Sequence, residues 1–253
     1  RQGSGYIMSR IAGLIPKRNK GTPRLDATTI ARLLGTKQIV KDGFFFMENQ
    51  QSSAQLGSIQ IVIDSSIFDA GDFPSPHKKL PDAQRVLLSI SKIGIIRTLE
   101  KINGRFCLSV FDTKTNILCL ARDRFGLSTL FYTCFDGLIA FSSRAKGLLA
   151  LPSVSNELDN SFLKAAAATN YRFLDTNNTV SPFRNIKQVP PGAIVRFDDK
   201  KVQTERFASL TVDGIKRSNK PTREEYIHLF NKAVSKRLSV AKKTNFLFIW
   251  RFR

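Results

Sequence analysis

Short apolar runs broken by polar turns dominate the middle of this chain, and they come in neighbouring pairs. RFCLSVFD (105–112) and ILCLARD (117–123) are rich in β-formers and flank a polar TKTN, which predicts a hairpin. TLFYTCF (129–135) and LIAFSS (138–143) predict a second, joined by Asp136-Gly137, a dipeptide that readily takes the positive φ angles of a tight turn. GAIVRFDDKKVQTERF (192–207) predicts a third with a charged turn, and SIQIVI (58–63) reads as a further strand. Elsewhere the apolar spacing changes to threes and fours. Asp26 caps a short helix carrying Ile30, Leu33 and Leu34 and ending at Gly35, Asp82 caps one carrying Val86, Leu87, Ile90 and Ile93 up to Gly94, and Asp159 caps another. Strands in antiparallel pairs with helices between the groups predict α+β layers, not a parallel βαβ sheet.

Residues 209–221 (SLTVDGIKRSNKP) are polar with Gly and Pro and read as a linker. Beyond it, Thr222 and Glu225 form a capping box for a helix whose apolar face is Ile227, Phe230, Val234 and Leu238. The expected organisation is a leader at 1–7 outside the fold, with Met8 as the start; a main domain at 8–208; the linker; and the start of a second, truncated domain at 222–253. The longest apolar run near the C-terminus is FLFIW, far below the roughly 18 residues a membrane-spanning helix requires. Nor does the N-terminus carry a secretory pattern, so the expected setting is cytoplasmic with no membrane partner.

A formal net charge of +20 raises nucleic acid or an acidic peptide as partners. Residues 210–253 hold 11 Lys/Arg against 3 Asp/Glu and residues 1–42 hold 9 against 2, so the excess is spread along the chain. No basic run is interleaved with aromatics, which argues against nucleic acid and for a solvated basic surface. Cys107, Cys119 and Cys134 sit in apolar strand text and are expected as buried thiols. His77 and His228 stand alone, so no metal site is expected.

The run LEKINGRFCLSVFDTKTNILCLARDRFG (99–126) resembles the "L-G-x-F-A-F-x-L-x-D … L-x-L-A-R-D-R-x-G" text of asparagine synthetases and their relatives. LFYTCFDGLIAFSSRAKGLL is similar to the family's "P-L-Y-Y … L-x-F-A-S-E-x-K-A-L-L", TVSPFRNIKQVPPGAIVRFD to its "T-x-F-x-x-I-x-x-L-P-P-G-x-x-x-x-F", and Met8-Ser9-Arg10-Ile11-Ala12-Gly13 to its Met-Cys-Gly-Ile-Ala-Gly. The resemblance spans roughly residues 8–240. It implies an N-terminal class II glutamine amidotransferase domain with the N-terminal-nucleophile fold, a four-layer αββα sandwich. The helix from 222 would open an α/β synthetase domain that uses ATP and Mg to adenylate a carboxylate.

In such a domain the first mature residue attacks the glutamine amide, with its own α-amino group as base. Here that position is Ser9, exposed if Met8 is removed, in place of the more nucleophilic Cys. Arg10 replaces a Gly. The family's N-G-E-I-Y-N aligns with Asp64-Ser65-Ser66-Ile67-Phe68-Asp69, so an acid stands where a neutral amide holds the oxyanion, and an anion there raises the barrier. Asp82 matches the family Asp that contacts the glutamine amine. No counterpart of the family's carboxylate-binding Arg is found in 43–60. The expected glutamine site is therefore Ser9, Asp64, Ser65 and Asp82, in degenerate form. For Arg122-Asp123-Arg124 the choice is between anion binding and a turn-stabilising ion pair, and the run's place before Gly126 favours the turn.

The family's ATP loop, S-G-G-x-D-S, has no copy in this chain, so no ATP-binding residue is expected here. One codon set for residues 249–253, read one base later, spells Ser-Gly-Gly-Leu, which suggests a frameshift. The resemblance implies a protein that makes amide bonds with ATP, its nitrogen donor being glutamine or ammonia. Alternatives are a macrolactam-type peptide cyclase in which this domain is scaffold, or a basic module binding an acidic peptide.

Overall fold

The computed structural model describes residues 10–17, 28–29, 40–42, 44–47, 49–68, 80–168, 179–198, 201–209 and 222–240. Expectations for Ser9, His77, the linker and residues 241–253 therefore lie outside the described residues, as does most of the helix expected from Asp26, of which Thr28 and Thr29 are helical. Twelve strands are assigned among them: β1 (Ile11–Pro16), β2 (Val40–Asp42), β3 (Phe45–Met47), β4 (Ser53–Leu56), β5 (Ile59–Ile67), β6 (Gly104–Asp112), β7 (Ile117–Arg122), β8 (Phe131–Phe135), β9 (Leu138–Ser142), β10 (Lys187–Gln188), β11 (Ala193–Phe197) and β12 (Val202–Arg206). The helices are α1 (Asp82–Ile93), α2 (Ile95–Lys101), α3 (Ala145–Leu148), α4 (Asn160–Ala168) and α5 (Arg223–Val240).

The strands form two antiparallel sheets, one in the order β10-β8-β9-β1-β3-β2 and the other β12-β11-β7-β6-β5-β4. All three expected hairpins are present. In the β8–β9 turn Asp136 and Gly137 hold φ of 45° and 75°, the doubly positive pair of a tight hairpin turn. Asp159 caps α4 by accepting from the backbone N–H groups of Ser161 and Phe162.

Alternation on the strands builds three apolar layers. Ile11, Ile15, Phe45, Met47, Ile139 and Phe141 of the first sheet meet Val62, Cys107, Phe111, Leu118, Leu120, Val195 and Phe197 of the second, filling the space between sheets. On the outer face of the second sheet, Ile61, Ile63, Phe106, Leu108 and Ala121 pack under Ala83, Val86, Leu87 and Leu99 from α1 and α2. On the outer face of the first, Ala12, Leu14, Phe46 and Ala140 pack under Leu148, Leu151, Val154 and Ile186. The molecule is thus an α+β sandwich of two face-to-face sheets clad by helices, with a thin outer layer on the first sheet, because α3 spans only four residues and α4 buries none of its own.

Three features depart from the sequence reading. Asp82, expected to cap α1, is its first helical residue: Pro81 holds the cap position with no side-chain cap hydrogen bond, and the Asp82 carboxylate is taken by the Ser65 hydroxyl and the Arg85 guanidinium. Gly94, expected to end a helix, does so with φ 83°, but α2 starts immediately after it, and Thr98 Oγ1 donates back to the Gly94 carbonyl at 2.7 Å. Cys134 is exposed although Cys107 and Cys119 are buried. It stands at the end of β8 beside the turn at Asp136, where the strand runs out to solvent.

Candidate functional site

The start of β1 is the reference point, because the resemblance puts a nucleophile two residues before Ile11. There the Ile11 N–H donates to Ser143 Oγ at 3.3 Å, the Ser143 N–H donates to the Ile11 carbonyl at 3.0 Å, and Thr129 Oγ1 donates to the Ser143 carbonyl at 2.8 Å. Ser128, next to Thr129, accepts at Oγ from Arg105 Nη1 at 3.3 Å. This chain of contacts joins the front of β1 to one end of the β5–β6 pair.

On that pair the register sets Asp64 opposite Cys107 and Ser66 opposite Arg105. Asp64, Arg105 and Cys107 share the parity of Val62 and Phe111 and so face the space between the sheets. The Arg105 guanidinium forks onto the Asp64 carboxylate, Nη2 to Oδ1 at 3.1 Å and Nη1 to Oδ2 at 3.5 Å. Asp64 is 5 % exposed and the Arg105 side chain 15 %. Planar guanidinium geometry suits two-point pairing, and at this burial both charges depend on each other. Burial pushes the Cys107 thiol up, the Asp64 carboxylate adds to that, and Arg105 opposes it, so Cys107 is held protonated and is no nucleophile.

Ser65 faces the other way. Its Oγ donates to Asp82 Oδ2 at 2.8 Å, at the head of α1, and Asp82 Oδ1 pairs with Arg85 Nη1 at 3.2 Å. Of the residues expected at the glutamine site, the fold brings Ser65 and Asp82 together on the helical side of the sheet, and gives Asp64 to Arg105 on the inner side. Arg105 and Ser128 were not singled out in the sequence. The available signal was a charge at an inner-face position of a strand whose next two inner positions, Cys107 and Ser109, are fully buried.

Where a turn-stabilising ion pair was expected of Arg122-Asp123-Arg124, the contacts that hold the turn run to backbone groups. Asp123 is fully buried, and its carboxylate accepts from the N–H groups of Phe125 (3.1 Å), Leu127 (2.9 Å), Ser128 (2.9 Å) and Phe106 (3.4 Å). Arg122 donates to the carbonyls of Ser128, Val189 (3.2 Å) and Gly126 (2.7 Å). The 123–128 turn is therefore pinned, and with it the Ser128 hydroxyl that meets Arg105. Among the described residues no group of three or more His, Cys, Asp or Glu is placed to hold a metal, and no helix is long and apolar enough to cross a membrane.

A family model for the glutamine amidotransferase domain matches residues 76–208, more than half of the chain. The chain belongs to that family. Two relatives from Bacillus subtilis (strain 168) are asparagine synthetases [glutamine-hydrolyzing]: number 3 is 28 % identical over 142 residues, covering 55 % of this chain and 22 % of its own, and number 2 is 26 % identical over 147 residues, covering 54 % and 19 %. The domain is thus a class II glutamine amidotransferase domain of the asparagine synthetase family, and the chain spans about a fifth of those relatives' length. Among solved structures, the glutamine phosphoribosylpyrophosphate amidotransferase of B. subtilis is 14 % identical at a TM-score of 0.47, over 79 % of this chain and 43 % of that one. The glutamine aminotransferase class-II domain protein of Silicibacter pomeroyi is 10 % identical at 0.41, over 79 % of this chain and all of that one. Asp82, Arg105 and Ser128 fall inside the amidotransferase match, whereas Asp64 and Ser65 precede it.

Proposed function

We propose that the complete protein forms amide bonds by activating a carboxylate with ATP as an acyl-adenylate, and that its glutaminase domain is degenerate and serves as scaffold. The family supports the first part and the Asp64–Arg105 pair carries the second. Where relatives hold the glutamine amide and its oxyanion with a neutral donor, this chain presents a buried carboxylate committed to a guanidinium. A carboxylate offers acceptors where developing negative charge needs donors. Ser9 adds a weaker nucleophile than the family Cys. ATP would supply the activation of the acceptor carboxylate, and no residue of this chain is assigned to that step. With glutamine hydrolysis lost, the nitrogen comes from free ammonia or from an amine on the substrate itself, as in the cyclase-type branch of the family.

Release of glutamate from glutamine is the deciding measurement, made on the full chain and on a version lacking residues 1–8 so that Ser9 leads. The expected result is no release above background from either. Turnover by the shortened form, abolished by Ser9→Ala, would sink the scaffold reading.

A further inference from the structure

We propose that the Asp64 carboxylate, on the inner face where the C-terminal end of β5 meets the start of β6, is a guanidinium-binding site which the chain fills with its own Arg105, closing it to amino-acid ligands. Asp64 on β5 presents both carboxylate oxygens to the two terminal nitrogens of Arg105 on β6, at 3.1 and 3.5 Å. Ser128 Oγ accepts from the same Nη1 at 3.3 Å, and its position is set by the Asp123 carboxylate, which binds the Ser128 N–H at 2.9 Å. A carboxylate on the neighbouring strand and a hydroxyl on a pinned turn thus hold one guanidinium. Cys107, an uncharged thiol, stands directly opposite Asp64 in the ladder. Buried charge pairs of this kind break at high cost when one partner is removed, because the other is left desolvated, whereas removing both is tolerated. That asymmetry makes the occupancy measurable. That the excluded ligand would be glutamine rests on the functional reading above; the occupancy by Arg105 does not.

Thermal unfolding of the full chain provides the readout, with methylguanidinium chloride as the probe. Arg105→Ala is expected to unfold at least about 5 °C below wild type, and methylguanidinium to restore part of that loss saturably. The same probe leaves wild type and Asp64→Asn/Arg105→Ala unmoved, since one site is filled and the other lacks its carboxylate. An Arg105→Ala variant as stable as wild type, or a shift equal in all three proteins, overturns the proposal. If Arg105→Ala does not fold, the neutral pair Asp64→Asn/Arg105→Met replaces it: it should unfold above Asp64→Asn alone, and a double variant no better than that single one also overturns the pairing. L-Glutamine is the last arm, with no shift expected for wild type; a saturable shift means that the site is open and the closure is wrong. Amide formation by the complete protein enters none of these readouts, so the two ideas fail separately.

Discussion

Gly13 lies directly beneath the ring of Phe141: a β-carbon on Gly13 would stand 2.3 Å from Phe141 Cε1 and 2.5 Å from Cζ. Gly13 is on β1 and Phe141 on β9, paired in register, and Phe45 from β3 meets the same ring edge-on with centroids 6.0 Å apart. The glycine is what lets two phenylalanines fill the inter-sheet layer at the centre of the first sheet. Gly13→Ala is expected to lower unfolding free energy by about 1–3 kcal/mol, the usual cost of overpacking a rigid core, and Gly13→Val by more. Urea denaturation measures both. An alanine variant as stable as wild type means that the ring is free to move aside.

Asp123 binds four backbone N–H groups with one buried carboxylate, so its loss orphans the buried donors of Phe106 and Ser128 and frees the partly buried ones of Phe125 and Leu127. Asp123→Ala should cost about 3 kcal/mol or more. Asp123→Asn is expected to be no milder than half of that, since its NH2 would face donors on one side. Denaturation midpoints and amide exchange at Phe125, Leu127 and Ser128 report the outcome together. Protection retained at all three in Asp123→Ala would show that the turn holds itself.

The cysteines separate by accessibility. Cys107 and Cys119 are buried, and burial pushes the Cys119 thiol up to about 11, whereas Cys134 is exposed. Native protein at pH 8 should bind one equivalent of a thiol reagent and lose that reactivity in Cys134→Ser; the other two should label only on unfolding. More than one fast equivalent would contradict the burial.

Stability follows from the same shift. A thiol whose folded pKa lies above its unfolded value of about 9 favours the folded state fully below pH 9, and that contribution fades as pH rises toward 11. Between pH 8 and 11 the chain should therefore lose stability, with about 2–3 kcal/mol attributable to Cys119. Cys119→Ala should flatten that part of the pH profile. An unchanged slope would exclude the thiol as its source.

At α5 the capping box expected from Thr222 and Glu225 is formed: the Thr222 N–H donates to Glu225 Oε2 at 2.8 Å and the Glu225 N–H to Thr222 Oγ1 at 3.2 Å. Thr222→Ala should lower helix stability by about 1 kcal/mol, read by amide exchange over 223–230. Equal exchange rates in the two proteins would mean that the cap adds nothing.

Short-range pattern sufficed for the hairpins, the helix at Asp82 and the caps at Asp159 and Thr222, because each depends on residues a few positions apart whose conformational preferences act before any tertiary contact. Alternation likewise marked which strand residues share a face. It could not say which face turns inward or what lies across the gap. The short strands β2, β3 and β4 carry too few residues for a period, and β1, though apolar, gains its strand identity from lying between β9 and β3. Asp64 illustrates the limit: its identity was legible as an acid in an amide's place, yet its partner comes from a strand 41 residues away. Long-range pairing is selected by burial of whole faces at once, so the meeting of Asp64, Arg105 and Ser128 exists only once both sheets have closed on each other.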